Sequence, residues 1–142
     1  MWLFSLSGFF SIVQDAQDKS LHHIRARTLD DLDALRALIP ALPRPVLSHP
    51  GSDYRCRILC PSALLPEVLT TLGNDIGYPN FKSAIARLPS QKDKLPAYHK
   101  IWEVMAAWGA RRNEKVSSAA APVDAKAAPE RRATGSTLDL ED

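Results

Sequence analysis

The sequence lacks the short signatures that commonly mark an enzyme. It contains no Gly-rich phosphate loop, no nucleophile elbow, no HExxH and no CxxC. The adjacent His22 and His23 fall in a segment that alternates like a strand, so their side chains face opposite ways and do not act as a pair. These absences favour a chain without catalysis and predict neither a cofactor nor a metal site. A small nuclease or hydrolase is the third and weakest interpretation.

Cysteine is scarce, and Cys56 and Cys60 are the two that the chain contains. Four positions apart on one strand, their Cα atoms would lie roughly 13 Å from each other. A disulfide requires about 7 Å or less, and no histidine spacing accompanies the pair to indicate a metal site. We therefore predict buried, reduced thiols and a cytoplasmic protein.

A large excess of charge is also lacking, because 18 basic and 16 acidic residues leave a net charge of +2. So small an excess does not by itself indicate a nucleic-acid partner. The composition is 45% hydrophobic and 24% charged, which is typical of a soluble globular chain. The length allows one domain and little else.

No apolar run is long enough for a membrane span, although the chain opens with MWLFSLSGFFSIVQD. A span needs about 20 apolar residues, and Gln14 ends this run too early. A secretory signal begins with basic residues, yet none precedes Lys19, and Gly8 interrupts the apolar stretch. The two short runs at residues 2–5 and 9–13 are aromatic and β-branched, and they predict a β-hairpin.

The rest of the chain predicts an α+β domain. Alternating apolar residues indicate strands near residues 21–28 and 53–60, with an edge strand near 46–48. Helical periodicity indicates helices near residues 29–39, 62–76, 80–87 and 95–108. We expect a small antiparallel sheet with an N-terminal β-hairpin and helices packed on one face, a ferredoxin-like variant that does not match βαββαβ cleanly.

The last helix and the tail complete the predicted layout. Apolar residues recur at i, i+3, i+4 and i+7 from Ile101 to Trp108, a pattern typical of a helix packed on a core. Residues 109–142 are rich in Ala, Ser and Pro and contain no aromatic residue, so they bury too little apolar surface to offset chain entropy. We predict one globular domain over residues 1–108 and a disordered tail over residues 109–142.

Four arginines stand out as candidate ligand-binding residues. Arg25 and Arg27 share one face of a predicted strand, and Arg55 and Arg57 share one face of another. If the strands are neighbours, four guanidiniums converge on the face that the helices leave open. Such forks bind phosphate or carboxylate, but arginines are also common on any solvated sheet face.

A second candidate site lies in the segment GYPNFK. Its members are Tyr78, Asn80 and Lys82, which precede or begin a short predicted helix. Asn80 is typical of a helix N-cap, and Tyr78 is placed to pack against Phe81 beneath the helix. A ligand pocket is the alternative interpretation of this cluster.

Several segments together resemble a family of small uncharacterised bacterial proteins. They are MWLF…GFFSIV, IRART, DYRCRI, IGYPNFKSAIA and YHKIWEVM, in this order, and they span residues 1–108. The most distinctive of them runs from Tyr78 to Lys82. The resemblance implies a soluble bacterial protein whose chain starts directly at the hairpin, and it supplies no catalytic residue.

We therefore expect a small non-catalytic binding or interaction module. Its partner would be a protein or an anionic ligand that meets the open sheet face, and the tail would act as a tether. The alternative is single-stranded nucleic-acid binding by the basic sheet face with nearby aromatic rings. No membrane partner is expected.

Overall fold

The structure, a computed structural model, describes residues 1–48 and 51–119. Within these residues five strands form one antiparallel sheet in the order β1-β2-β3-β5-β4. The strands are β1 (Trp2–Ser5), β2 (Gly8–Gln14), β3 (Leu21–Ala26), β4 (Val46–Leu47) and β5 (Cys56–Pro61). The helices are α1 (Leu29–Leu38), α2 (Leu65–Asn74), α3 (Phe81–Ala86) and α4 (Leu95–Ala119), with 3₁₀ turns at Ser62–Leu64 and Lys92–Lys94. The α+β fold with an antiparallel sheet is confirmed.

The N-terminal hairpin predicted from the sequence is present. β1 and β2 pair in antiparallel register, with Ser5 opposite Gly8 and residues 6–7 as the loop between them. Gly8 has a φ of +152°, a conformation that glycine adopts readily and other residues rarely do. Phe10 and Ile12 of β2 are buried, so the hairpin is part of the core.

One face of the sheet packs against α1 and α2. Leu32 and Leu35 of α1 and Val68 and Leu72 of α2 are buried in the cluster that this face forms. The strand residues of the same cluster are Phe10, Ile12, Ile24, Ala26, Cys56, Ile58 and Cys60. Both cysteines are free thiols and are buried, as the sequence predicts.

The element order departs from βαββαβ at both ends. A third strand follows the N-terminal hairpin before the first helix, and the described chain ends in helices rather than in a strand. β3 pairs with β5 across the connection that contains α1 and the short β4. This pairing brings the two arginine-bearing segments of the sequence side by side.

The chain divides into two compact units, Met1–Trp102 and Glu103–Asp142. α4 continues to Ala119, so the boundary predicted at residue 108 falls within a helix. Residues 120–142, the rest of the predicted disordered tail, lie outside the described residues. No helix within the described ranges has the length and apolar character needed to cross a bilayer.

The apolar residues of the α4 stripe are exposed: Ile101, Val104, Met105 and Trp108. The main buried cluster of the Met1–Trp102 unit contains no residue beyond Leu72. The expectation that this stripe packs on the core stays a prediction.

Candidate functional site

The candidate site is the sheet face opposite the one that packs on α1 and α2. Side chains alternate along a strand, so the residues between the core positions share this second face. We call it the arginine face. Its members are Trp2, Phe4, Phe9, Ser11, Val13, His23, Arg25, Val46, Arg57 and Leu59.

Arg25 and Arg57 form the centre of the arginine face. They are direct cross-strand partners on β3 and β5, and Nη2 of Arg25 donates to Oγ of Ser11 at 2.7 Å. The Nε of Arg25 and the Nε of Arg57 are both buried without a hydrogen-bond partner among the described residues. No carboxylate of residues 1–48 or 51–119 forms a salt bridge with either side chain. Like charges directly opposite each other destabilise a sheet, and an anion between them would remove that cost.

Arg27 is neutralised beyond the end of β3. Its Nη1 donates to Oδ1 of Asp53 at 2.7 Å and to the Asp53 carbonyl oxygen at 3.1 Å. The hydrogen bond to Asp53 raises the pKa of the Arg27 guanidinium above its ordinary value. Its Cζ also lies 4.7 Å from the ring centroid of Tyr54. The charge of Arg27 is therefore neutralised by Asp53 and is not available to bind an anion.

Tyr54 connects the arginines with the aromatic rings. The Cζ of Arg25 lies 4.8 Å from the Tyr54 centroid, a cation–π distance. The Phe9 ring centroid lies 6.5 Å from the same centroid. Tyr54 is buried, and its hydroxyl has no hydrogen-bond partner among the described residues. Arg25 is thus held by Ser11 and Tyr54 in one orientation.

Arg55 stands apart from the other three predicted arginines. It immediately precedes β5 and is exposed, and its carbonyl oxygen accepts a hydrogen bond from the Ser48 N–H at 2.7 Å. The Arg55 side chain has no hydrogen-bond or ion-pair partner among the described residues. Of the four arginines predicted to converge, Arg25 and Arg57 are therefore adjacent, Arg27 is paired with an acid, and Arg55 is separate.

Aromatic rings occupy the β1–β2 end of the arginine face. Phe4 and Phe9 are stacked, with ring centroids 4.7 Å apart, and Trp2 meets Phe9 edge-to-face at 5.9 Å. Tyr98 at the start of α4 contacts Phe4 at 5.2 Å. Trp2 is 68% exposed, so the row ends in an indole that is open to solvent.

The two adjacent histidines face opposite ways, as the strand alternation predicts. His23 lies on the arginine face, and its Nε2 is 2.5 Å from Oδ2 of Asp15. His22 points to the other face, and its Nδ1 is 2.9 Å from Oγ of Ser62. Hydrogen bonds from the Asp18 N–H, from His23 and from the Gln17 N–H lower the pKa of Asp15 to about 2.

The second predicted cluster serves the local structure. Oδ1 of Asn80 accepts from the Ser83 N–H at 2.9 Å, which makes it the N-cap of α3. Tyr78 and Phe81 are in ring contact at 5.9 Å, and Nζ of Lys82 lies 4.3 Å from the ring centroid of Trp102. Tyr78 lines one cavity together with Phe4 of the arginine face, whereas Asn80 and Lys82 contact Ser83 and Trp102.

The cavity that Tyr78 lines has a volume of about 150 Å³ and lies between β1 and the end of α2. Most of its lining is apolar, and Asp75 is its one charged side chain among the described residues. Burial, with a smaller contribution from Asp75, raises the pKa of the Tyr78 hydroxyl. A single carboxylate beside a neutral phenol offers no pair of groups for acid–base chemistry.

A buried polar cluster around Asp31 was not predicted. Asp31 is 2% exposed and accepts from the Phe9 N–H at 3.3 Å, from Nε2 of Gln91 at 3.3 Å and from Nζ of Lys94. Gln91 also donates to the Ser7 carbonyl oxygen at 3.2 Å. The sequence signal that could have found it is the spacing of four between Asp31 and the buried Leu35, which places Asp31 on the inner side of α1.

The geometry leaves the arginine face as the strongest candidate site. Among residues 1–48 and 51–119, no group of three His, Cys, Asp or Glu side chains converges to hold a metal ion. The resemblance to small bacterial proteins stays a prediction. Comparison of the chain with protein-family models, with curated proteins and with solved structures finds no match in any of the three.

Proposed function

We propose that this protein is a non-catalytic binding module whose arginine face receives an anionic group of its partner. The observation that carries the proposal is the Arg25–Arg57 pair: two cross-strand guanidiniums, each with a buried and unpartnered Nε, and no carboxylate beside them in the described chain. The Nε atoms themselves are buried, so an anion would meet the Nη groups of the two half-buried side chains. A bound anion would also offset the repulsion between two like charges on neighbouring strands.

The chemistry of the site favours a phosphate or carboxylate group. The guanidinium is planar and presents its N–H groups as a fork, which matches two oxygens of one anion. Arg25 is already oriented by Ser11 and Tyr54, so little side-chain entropy remains to be lost when it binds. Arg57 supplies the second charge from the neighbouring strand.

The groups on this face that could act as a nucleophile or base are engaged elsewhere. Oγ of Ser11 accepts the hydrogen bond from Arg25, and Nε2 of His23 lies against Asp15. A serine nucleophile is activated by a base within hydrogen-bond reach, and Ser11 and His23 do not contact each other. On the arginine face their separate partners support binding in preference to a nuclease or hydrolase activity. The Ser62–His22 contact lies on the other face of the sheet.

Titration calorimetry with the full chain tests the proposal, with inorganic pyrophosphate and citrate as separate probes at low salt. We expect binding of at least one probe, and Arg57→Gln should weaken it by roughly tenfold to a hundredfold, because a hydrogen bond to a charged group is removed. Pyrophosphate binding alone would identify phosphate as the preferred group, and citrate binding alone would identify carboxylate.

The matched control is Arg87→Gln, which removes an exposed arginine at the end of α3 that lies outside the arginine face. It should leave the affinity unchanged. Equal weakening by both variants would mean that the probe senses net charge only, and no binding of either probe would reject the proposed function.

A further inference from the structure

The strand register places five side chains in one row across the arginine face. Trp2 is opposite Ser11, Ser11 is opposite Arg25, Arg25 is opposite Arg57, and Arg57 is opposite Val46. Neighbouring strands lie about 4.8 Å apart, so the Cα of Trp2 is about 10 Å from that of Arg25 and about 14 Å from that of Arg57. An aromatic surface therefore lies at the β1 end of the row, and two cations without an acidic partner in the described chain follow it on β3 and β5.

Other aromatic rings pack with Trp2 in one cluster at the aromatic end of the row. Trp2 is 68% exposed and meets Phe9 edge-to-face, and Phe9 is stacked on Phe4, which in turn contacts Tyr98. A supported indole loses little freedom when a flat ligand stacks on it. Stacking of a nucleobase on an aromatic side chain contributes about 1–3 kcal/mol and tolerates any base, since every base has a π-face.

We propose that the partner of the arginine face is single-stranded nucleic acid, with a base on Trp2 and phosphates on Arg25 and Arg57. The inference rests on the proposed anion-binding function and names its ligand class. The row presents a flat aromatic surface and two cations. Single-stranded nucleic acid matches both, because its bases are flat and its backbone phosphates are anions. The strand is single because paired bases are stacked on each other and offer no free face to an indole.

The charge distribution sets the expected salt dependence. The net charge is only +2, and Arg27 is paired with Asp53, so long-range attraction is weak. Two phosphate contacts on a single strand predict a slope of about −1.4 in a plot of log affinity against log salt concentration. A much steeper slope would indicate additional contacts outside Arg25 and Arg57.

Fluorescence anisotropy with the full chain tests this inference directly. The probes are a labelled ten-nucleotide oligothymidine and an abasic phosphodiester oligomer of the same length and charge. We expect the oligothymidine to bind more tightly, by roughly tenfold or more, because only it carries bases that stack. Trp2→Ala should remove this difference, and Trp2→Phe should retain part of it.

Trp108→Ala is the matched control, because Trp108 is also exposed, at 54%, and belongs to α4 rather than to the strands that form the arginine face. It should leave binding of the oligothymidine unchanged. Far-ultraviolet circular dichroism establishes that each variant is folded.

The outcomes separate the inference from the proposed function. Equal binding of the two oligomers, or no effect of Trp2→Ala, would overturn the nucleic-acid inference. If pyrophosphate or citrate still bound, the anion site would stand and a protein carrying phosphate or carboxylate groups would be the partner. If neither the anions nor the oligomers bound at low salt, both proposals would fail.

Discussion

The Asp31 carboxylate joins α1 to two distant parts of the chain, the N-terminal hairpin and the segment before α4. It accepts hydrogen bonds from the hairpin through the Phe9 N–H and from the segment before α4 through Gln91 and Lys94. A carboxylate that is 2% exposed persists only when its oxygens are satisfied in this way. Gly8 belongs to the same arrangement, because its missing side chain leaves the space that Asp31 occupies.

Gly8→Ala should therefore be strongly destabilising. A Cβ at this position would lie 2.5 Å from Cγ of Asp31, and the φ of +152° is unfavourable for alanine. Strain of this kind costs on the order of 1–3 kcal/mol, and the displacement of Asp31 adds to it. Urea denaturation followed by circular dichroism measures the free energy of unfolding.

Gly73→Ala is the matched control within the same protein. Gly73 is a helical residue of α2, and a Cβ there meets nothing within 4 Å. Alanine is favoured over glycine in a helix, so this variant should be more stable by about 0.5–1 kcal/mol. Equal effects of the two substitutions would contradict the close approach of Gly8 to Asp31.

At the scale of elements, alternation along the strands was predictable and the partner of each strand was not. The apolar positions of β3 and β5 indicate which side chains share a face, and the register sets Arg25 and Arg57 directly opposite each other on neighbouring strands. The register that sets Arg25 opposite Arg57 depends on how the segment containing α1 returns to the sheet. The periodicity of side chains within β3 or within β5 does not predict which residues of the two strands become partners.

Tyr98, in the first turns of α4, makes the stability of the fold depend on pH in the alkaline range. Burial, with smaller contributions from Asp31 and Asp93, raises the pKa of Tyr98 from 10.0 to about 12. As the pH rises, the unfolded chain therefore loses the Tyr98 proton before the folded chain does. The contribution of Tyr98 to the free energy of unfolding is fully present below pH 10 and falls as the pH rises towards 12. The loss from this residue is on the order of 2 kcal/mol.

Tyr98→Phe should remove that part of the alkaline loss. The Tyr98 hydroxyl has no hydrogen-bond partner among the described residues, and the ring contacts with Phe4 and Phe81 remain in the variant. Stability at pH 7 should be unchanged or raised by up to about 1 kcal/mol. Thermal unfolding of both proteins from pH 8 to pH 11.5 measures the difference, in which lysine titration cancels. Parallel curves would contradict the raised pKa of Tyr98.

At the scale of the whole molecule, the cysteines report on the integrity of the core. Cys56 and Cys60 are 5% and 0% exposed, they alternate with Arg57 and Leu59 along β5, and both belong to the main buried cluster. Burial also raises the pKa of the Cys60 thiol, which lowers the fraction present as the reactive thiolate.

Both thiols should therefore react with a disulfide reagent only when the domain opens. We expect little labelling of the native protein over minutes and complete labelling of two thiols in denaturant, measured by absorbance and mass spectrometry. Cys56→Ala leaves Cys60 as the single reporter, and its labelling rate should follow the unfolding equilibrium as urea increases. Rapid labelling of Cys60 in the native protein would contradict its position in the core.

The sequence by itself determined the α+β class, the N-terminal hairpin, the buried thiols, the opposite directions of His22 and His23, and the cap at Asn80. Each of these follows from the spacing of side chains over a few residues, where backbone geometry alone decides which side a residue faces.

The tertiary structure was needed to show which arginines meet and which acid is buried. Arg25 meets Arg57 through long-range strand register, and Arg27 is neutralised by Asp53, 26 positions away. Asp31 is buried against the Phe9 N–H, Gln91 and Lys94. These outcomes depend on contacts between segments far apart in the chain, and no local pattern records the result.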